Sequence, residues 1–224
     1  MLIDLNADLG EGAGHDAELM RLITSANICC GAHAGGPEEM RATVELARRE
    51  GVVIGAHPGY ADRANFGRAE QELAPHAVKS LCFQQIAALV MAGAEVRYLK
   101  PHGALYHRAM RDEGTAWGVG QAAEGFSIPC VGLAGSQLEK ACEAFVPEGF
   151  ADRRYRPDGS LVPRDRPEAM IADANEVLEQ VEWLIGERGV RTICFHGDNP
   201  AALEFAMAIR SALLARGHEL RAFA

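Results

Sequence analysis

Several familiar signatures are missing from this chain, and each absence removes a class of function. No two of its six cysteines stand in CxxC spacing, and Cys29 and Cys30 are adjacent in an apolar stretch, so the cysteines read as small core residues rather than disulfide or zinc groups. There is no GxxxxGK[ST] phosphate loop, and a GxGxxG reading begun at Gly10 would need glycine where His15 stands. No GxSxG turn marks a nucleophilic serine. No histidines fall in HxH or HxxxH spacing, so no permanent structural metal is expected. Basic side chains are outnumbered, 22 Lys and Arg against 31 Asp and Glu. The net charge of -9 argues against nucleic acid and anionic membrane as partners, since both are bound by clustered Lys and Arg. The opening residues MLIDLNADLG lack the basic and apolar regions of a signal peptide, and no apolar run is long enough for a spanning helix. A cytoplasmic protein is expected.

What is present is a recurring histidine turn. Four of the eight histidines sit in glycine-bearing turns: Gly31-Ala32-His33-Ala34-Gly35, Gly55-Ala56-His57-Pro58-Gly59, Lys100-Pro101-His102-Gly103 and Phe195-His196-Gly197-Asp198. Short apolar runs at 52–56, 96–99 and 192–195 precede three of them and have the length and β-branched or aromatic content of buried strands. Imidazoles at the C-terminal ends of parallel strands converge in space. His15, His76 and His218 lie in ordinary contexts, and His107 stands near a possible helix start.

Helical patterns alternate with the strands. Residues 37–50 begin with Pro37, carry Met40, Val44 and Ala47 on one face and stop at Gly51. Similar stripes run over 75–92, 173–188 and 200–216, each stopping at a glycine, with further strands expected at 2–6, 26–30, 130–133 and 219–223. Residues 1–224, 48% hydrophobic and undivided by any linker, are read as one α/β domain, a distorted (β/α) barrel of seven or eight strands. Two long polar loops, 57–69 and 147–168, interrupt the short connections. The second carries Arg153, Arg154, Arg156, Arg164 and Arg166, suited to a carboxylate or phosphate, and Pro157-Asp158-Gly159 within it reads as a hairpin turn.

Asp4, Asn6 and Asp8 alternate with apolar residues along the first strand, so they share a face, which in a small barrel points inward. Burying such a row requires a cation, a metal or hydrogen-bond donors. Lys100 ends a strand where its ammonium can aim into a pocket, and Asp198 stands where it can orient His196.

The blocks DLNADLGEG at 4–12, ANICCGAHAGGP at 26–37, IGAHPGY at 54–60, FGR at 66–68, LKPHGALY at 99–106, FADRRYRPDGSLVPR at 150–164 and ICFHGD at 193–198 resemble, in the same order, the LamB/YcsF family. The resemblance implies a barrel akin to those of glycoside hydrolases and deacetylases. It also implies the role of an A subunit in a prokaryotic 5-oxoprolinase that acts with B and C subunits, ATP and Mg entering through the complex, to open 5-oxoproline or a related small lactam to L-glutamate. Within that frame Asp8, His57, Lys100 and His102 are expected to carry catalysis. Asn6, Glu11, Asn27, His33, Arg68, Arg153, His196 and Asp198 are expected to contact the substrate. Two other readings stay open: a metal-dependent amide hydrolase or deacetylase using Asp8, His33, His57 and His102, and a lactam-binding component without chemistry of its own.

Overall fold

The computed structural model describes residues 1–196, 199 and 201–224. Its elements in chain order are β1 (Leu2–Leu9), α1 (Asp16–Met20), β2 (Ser25–Cys29), α2 (Pro37–Glu50), β3 (Val53–His57), α3 (Pro75–Met91), β4 (Val96–Leu99), α4 (Gly103–Arg111), α5 (Glu113–Glu124), β5 (Cys130–Gly132), α6 (Gln137–Ala141), β6 (Phe145–Phe150), α7 (Ala174–Gly186), β7 (Thr192–Phe195), α8 (Ala202–Ala215) and β8 (Glu219–Leu220). Strands β2 to β7 follow one another in chain order, and β1 pairs with both β2 and β7, which closes a barrel of seven parallel strands. The eighth strand is shorter than the 219–223 expectation and lies outside the ring. It pairs with Leu2 and Ile3 on the edge of β1 that β2 uses higher up, where the Ile3 carbonyl accepts from Arg221 and the Leu5 carbonyl from Thr24. The ring is distorted at β4 and β5, which share a single register pair, Leu99 with Cys130.

The alternation in β1 shows why the barrel has a polar interior. Ile3, Leu5, Ala7 and Leu9 point outward into the apolar layer beneath the helices, while Asp4, Asn6 and Asp8 are buried on the opposite side. Helices supply the rest of that layer with Met40, Val44 and Ala47 of α2, Val78, Ile86 and Leu89 of α3, and Val177, Val181 and Leu184 of α7. α2 starts with Pro37 in its first turn and stops at Gly51, whose φ of 70° is readily adopted only by glycine. α7 starts at Asp173, whose carboxylate accepts from the Asn175 and Glu176 amides.

The loop expected over 147–168 is partly strand. Its first residues complete β6, which pairs with both β5 and β7, and only the remainder forms an excursion. There the expected hairpin forms: Tyr155 bridges Leu161, and Arg156 and Ser160 bond across the turn. The 57–69 loop begins after His57, the last residue of β3, and is tied down by Asp62, whose carboxylate accepts from the Asn65 and Ala69 amides. Among the described residues no helix is long and apolar enough to cross a membrane.

Candidate active site

The barrel interior is a polar ladder rather than a greasy plug. At its lower end Asp4 accepts from Thr24, from Ser25 at 2.7 Å and from Thr192. Burial outweighs these bonds and pushes the Asp4 carboxyl above its usual range. One layer up, Asn6 donates to Thr192 at 2.6 Å and accepts from Asn27 at 2.7 Å; Asn27 also donates to Asp8 at 2.7 Å and accepts from the Tyr98 hydroxyl at 2.7 Å. Asn6 and Asn27, expected to contact substrate, thus lie beneath the cavity and support Asp8.

Lys100 follows β4 and is 1% exposed. Its ammonium lies 3.1 Å from Asp8 Oδ1, 3.2 Å from Glu148 Oε2, 3.3 Å from Asn6 Oδ1 and 2.9 Å from Cys194 Sγ. Burial works against the charge, but Asp8, Cys194 and Glu148 hold the lysine pKa well above its ordinary value. Cys194, read from sequence as a core residue, is therefore in contact with the buried charge.

Above this pair the C-terminal ends of β1 and β3 and the loops after β1, β2 and β4 bring together Asp8, Glu11, His33, His57 and His102. His57 Nδ1 lies 2.8 Å from the Lys100 carbonyl, and His102 Nε2 lies 2.9 Å from the Phe66 carbonyl. Each ring therefore places its N–H on a backbone oxygen and turns its other nitrogen inward. His57 Nε2 and His102 Nδ1 face each other at 3.0 Å. Asp8 Oδ2 stands 3.3 Å from the former, and Glu11 Oε1 3.3 Å from the latter. His33 Nε2 meets Glu11 Oε1 at 3.0 Å, and its ring stacks flat on His102 at 3.8 Å. Burial depresses the His57 charge, but Asp8 and Glu11 reverse this and raise its pKa; Asp8 itself is held well below its usual range against its own burial, by His57 and Lys100. Burial, with His57 and His33 alongside, holds His102 well below the ordinary imidazole range.

The far wall is built from β6, β7 and the arginine excursion. His196 Nδ1 lies 2.9 Å from Asp152 Oδ1, and its amide donates to Asp152 Oδ2 at 3.2 Å, which leaves Nε2 for the cavity; the ring stacks on Phe150. Burial opposes the Asp152 charge, but His196 and Asn199 hold its carboxyl below the usual range. Asp152 thus orients the imidazole for which Asp198 was expected; Asp198 lies outside the described residues. Arg153 is buried and donates to the Val162 carbonyl at 2.7 Å, and among the described residues its Nε has no partner. Burial, with Arg153 and Arg111 nearby, pushes the His107 pKa down to about 4.

These groups line one cavity of about 910 Å³ at the C-terminal mouth of the barrel. Asp8, Glu11, His57, Arg68, Lys100, His102, Arg153 and His196 all reach it, and Arg156 and Arg164 join from the excursion. Arg154 instead turns away to pair with Glu176. Glu148 and Asp152 were not singled out from sequence, since neither stands in a recognisable spacing with its partner.

A closed β/α barrel whose strand ends present paired imidazoles, carboxylates and a buried lysine is of the class that performs acid-base chemistry at its C-terminal face. The chain belongs to the LamB/YcsF family, whose profile matches residues 3–224. It is 45% identical over 243 residues, spanning 96% of this chain and 93% of the relative, to the A subunit of 5-oxoprolinase from Methylococcus capsulatus. Its structure is similar to that of the lactam utilization protein from Thermus thermophilus, with a TM-score of 0.91, 38% identity and full coverage of both chains. The family 4 carbohydrate esterase from Streptomyces lividans, at 12% identity and a TM-score of 0.57 over the whole of this chain and 93% of the esterase, shares the barrel fold.

Proposed function

We propose that the chain is the A subunit of an ATP-dependent 5-oxoprolinase, which opens 5-oxo-L-proline or a related small lactam to L-glutamate with B and C subunits. The observation that supports this most is the placement of two imidazole–carboxylate sets across a single cavity rimmed by arginines. A five-membered lactam is an unstrained, resonance-stabilised amide, so opening it needs carbonyl activation, a positioned water and a proton for the leaving nitrogen. The lactam carboxylate suits the guanidinium groups of Arg153 and Arg164. Water attacks the ring carbonyl carbon and gives its proton to the Asp8–His57–His102 set; Lys100 offsets the negative charge that develops. The C–N bond then breaks, and His196, held by Asp152, returns a proton to the nitrogen.

The chain carries no phosphate loop, so in this reading ATP and Mg enter through the partner subunits: before water attacks, the lactam oxygen takes the γ-phosphoryl group and ADP leaves, so that the C–N cleavage yields γ-glutamyl phosphate, and a second water hydrolyses this to L-glutamate and phosphate. The test is glutamate formation by the reconstituted assembly with 5-oxoproline and Mg-ATP. Replacing His57 or His102 with Ala lowers the rate by about 100-fold or more. Undiminished turnover in both variants reduces the chain to a lactam-binding component.

A further inference from the structure

The two inward ring nitrogens stand among carboxylates as a compact set of ligand atoms. With its N–H committed to a backbone carbonyl, each neutral imidazole presents a lone pair, so His57 Nε2 and His102 Nδ1 aim lone pairs at each other across 3.0 Å. Two such nitrogens at that distance are held together by a shared proton or by a cation between them. Nearby, the ammonium of Lys100 is paired with Asp8 and Glu148, while the Glu11 carboxylate stands against the imidazoles of His33, His57 and His102.

We propose that Asp8, Glu11, His57 and His102 form a binding site for one divalent first-row transition-metal ion. Metal–ligand bonds of about 2.0–2.2 Å require ligand atoms about 3.0–3.5 Å apart. The separations His57 Nε2 to His102 Nδ1, His57 Nε2 to Asp8 Oδ2 and His102 Nδ1 to Glu11 Oε1 are 3.0, 3.3 and 3.3 Å, and that of His57 Nε2 to Glu11 Oε1, at 3.8 Å, contracts on binding. The surroundings also suit ligands. Both rings are fixed through their second nitrogen by a carbonyl, and Asp8 Oδ1 is held by Asn27 and Lys100 so that Oδ2 is turned to the site.

His33 also lies within ligand range of Glu11, His57 and His102. Yet its ring is stacked on His102 with an interplanar angle of 2°, and two rings in that arrangement cannot both aim an in-plane lone pair at one ion. Its part is to donate Nε2–H to Glu11 Oε1 and hold that carboxylate in place. Imidazole with carboxylate selects zinc, cobalt or manganese over magnesium and calcium, which prefer all-oxygen shells. With the ion bound, His57 Nε2 and His102 Nδ1 are ligands rather than proton acceptors, and the ion would take over their part by lowering the pKa of a bound water. It would be exchangeable, reached from the open cavity, rather than a structural ion required for folding.

The experiment uses the full chain stripped with chelator and titrated with Co2+, followed by its visible absorption, and with Zn2+ by calorimetry. One saturable site per chain is expected. His57→Ala and His102→Ala should each weaken binding by about 100-fold or more, Glu11→Gln and His33→Ala by about 10- to 100-fold, and His76→Ala should leave it unchanged. Absence of saturable binding to the wild-type chain overturns the proposal without reference to any variant. Equal affinity in folded His57→Ala and His102→Ala proteins also overturns it, since the ion then sits elsewhere. Because the readout is binding, failure here is distinct from failure of the lactam-opening reading, which is judged on turnover with the B and C subunits.

Discussion

At the scale of single residues, the buried charges are the most exposed to test. Lys100 lies between Asp8 and Glu148, 3.1 and 3.2 Å from their carboxylates. Lys100→Met should therefore leave two uncompensated carboxylates and destabilise the protein by about 3–5 kcal/mol, measured by urea unfolding; a loss below about 1 kcal/mol contradicts the pairing. Asp152 makes a prediction in pH. Its folded pKa is depressed, so its stabilising contribution is complete above the unfolded carboxylate value of about 3.9 and fades as pH falls through the folded value below it. The stability advantage of wild type over Asp152→Asn should be full at neutral pH and shrink below about pH 4. An advantage that is constant down to pH 3 rules this out. The sequence made Asp8, Lys100 and the strand-end histidines legible because each ends or follows a recognisable strand. It hid Glu148 and Asp152, whose partners, Lys100 and His196, are brought to them only by barrel closure.

At the scale of elements, the loop carrying Phe66, Gly67 and Arg68 shows how local backbone holds the site. Gly67 has φ of 67°, and a Cβ there would stand 2.8 Å from His33 Cβ and 3.1 Å from His102 Cδ2. Its carbonyl accepts from Ala104 at the start of α4, which fixes the loop against the helix that follows His102. Gly67→Ala should cost about 1–2 kcal/mol from the left-handed backbone and displace the two stacked imidazoles. In the reconstituted assembly its rate should fall more than its melting temperature alone explains; wild-type activity with unchanged stability argues against the close approach. The same logic explains which elements were readable. The helices Pro37–Glu50, Pro75–Met91, Ala174–Gly186 and Ala202–Ala215 announce themselves by apolar stripes that stop at a glycine. β6 does not, because Pro147, Glu148 and Gly149 read as turn chemistry. In the fold Glu148 reaches Lys100, and Gly149 makes room for Leu184, which would lie 2.7 Å from an added Cβ. α5 is likewise masked by Gly114, Gly118 and Gly120. Gly118 allows close packing on α3, a Cβ there meeting the Pro75 carbonyl at 2.6 Å.

At the scale of the whole molecule, closure of seven parallel strands leaves a polar shaft leading to a mouth lined by His57, His102 and His196. The cavity of about 910 Å³ is far larger than a five-membered lactam, leaving room for an activated substrate or an element of another subunit. No phosphate loop accompanies it, and uncoupled opening of an unstrained amide faces a high barrier. The chain alone should therefore be nearly inactive. The decisive measurement is release of L-glutamate from 5-oxoproline, followed with the isolated chain, with the B and C subunits alone, and with all three, each with and without Mg-ATP. Turnover is predicted only for the complete mixture with Mg-ATP. Substantial ATP-independent glutamate release by the isolated chain, or full turnover by B and C without it, contradicts the account.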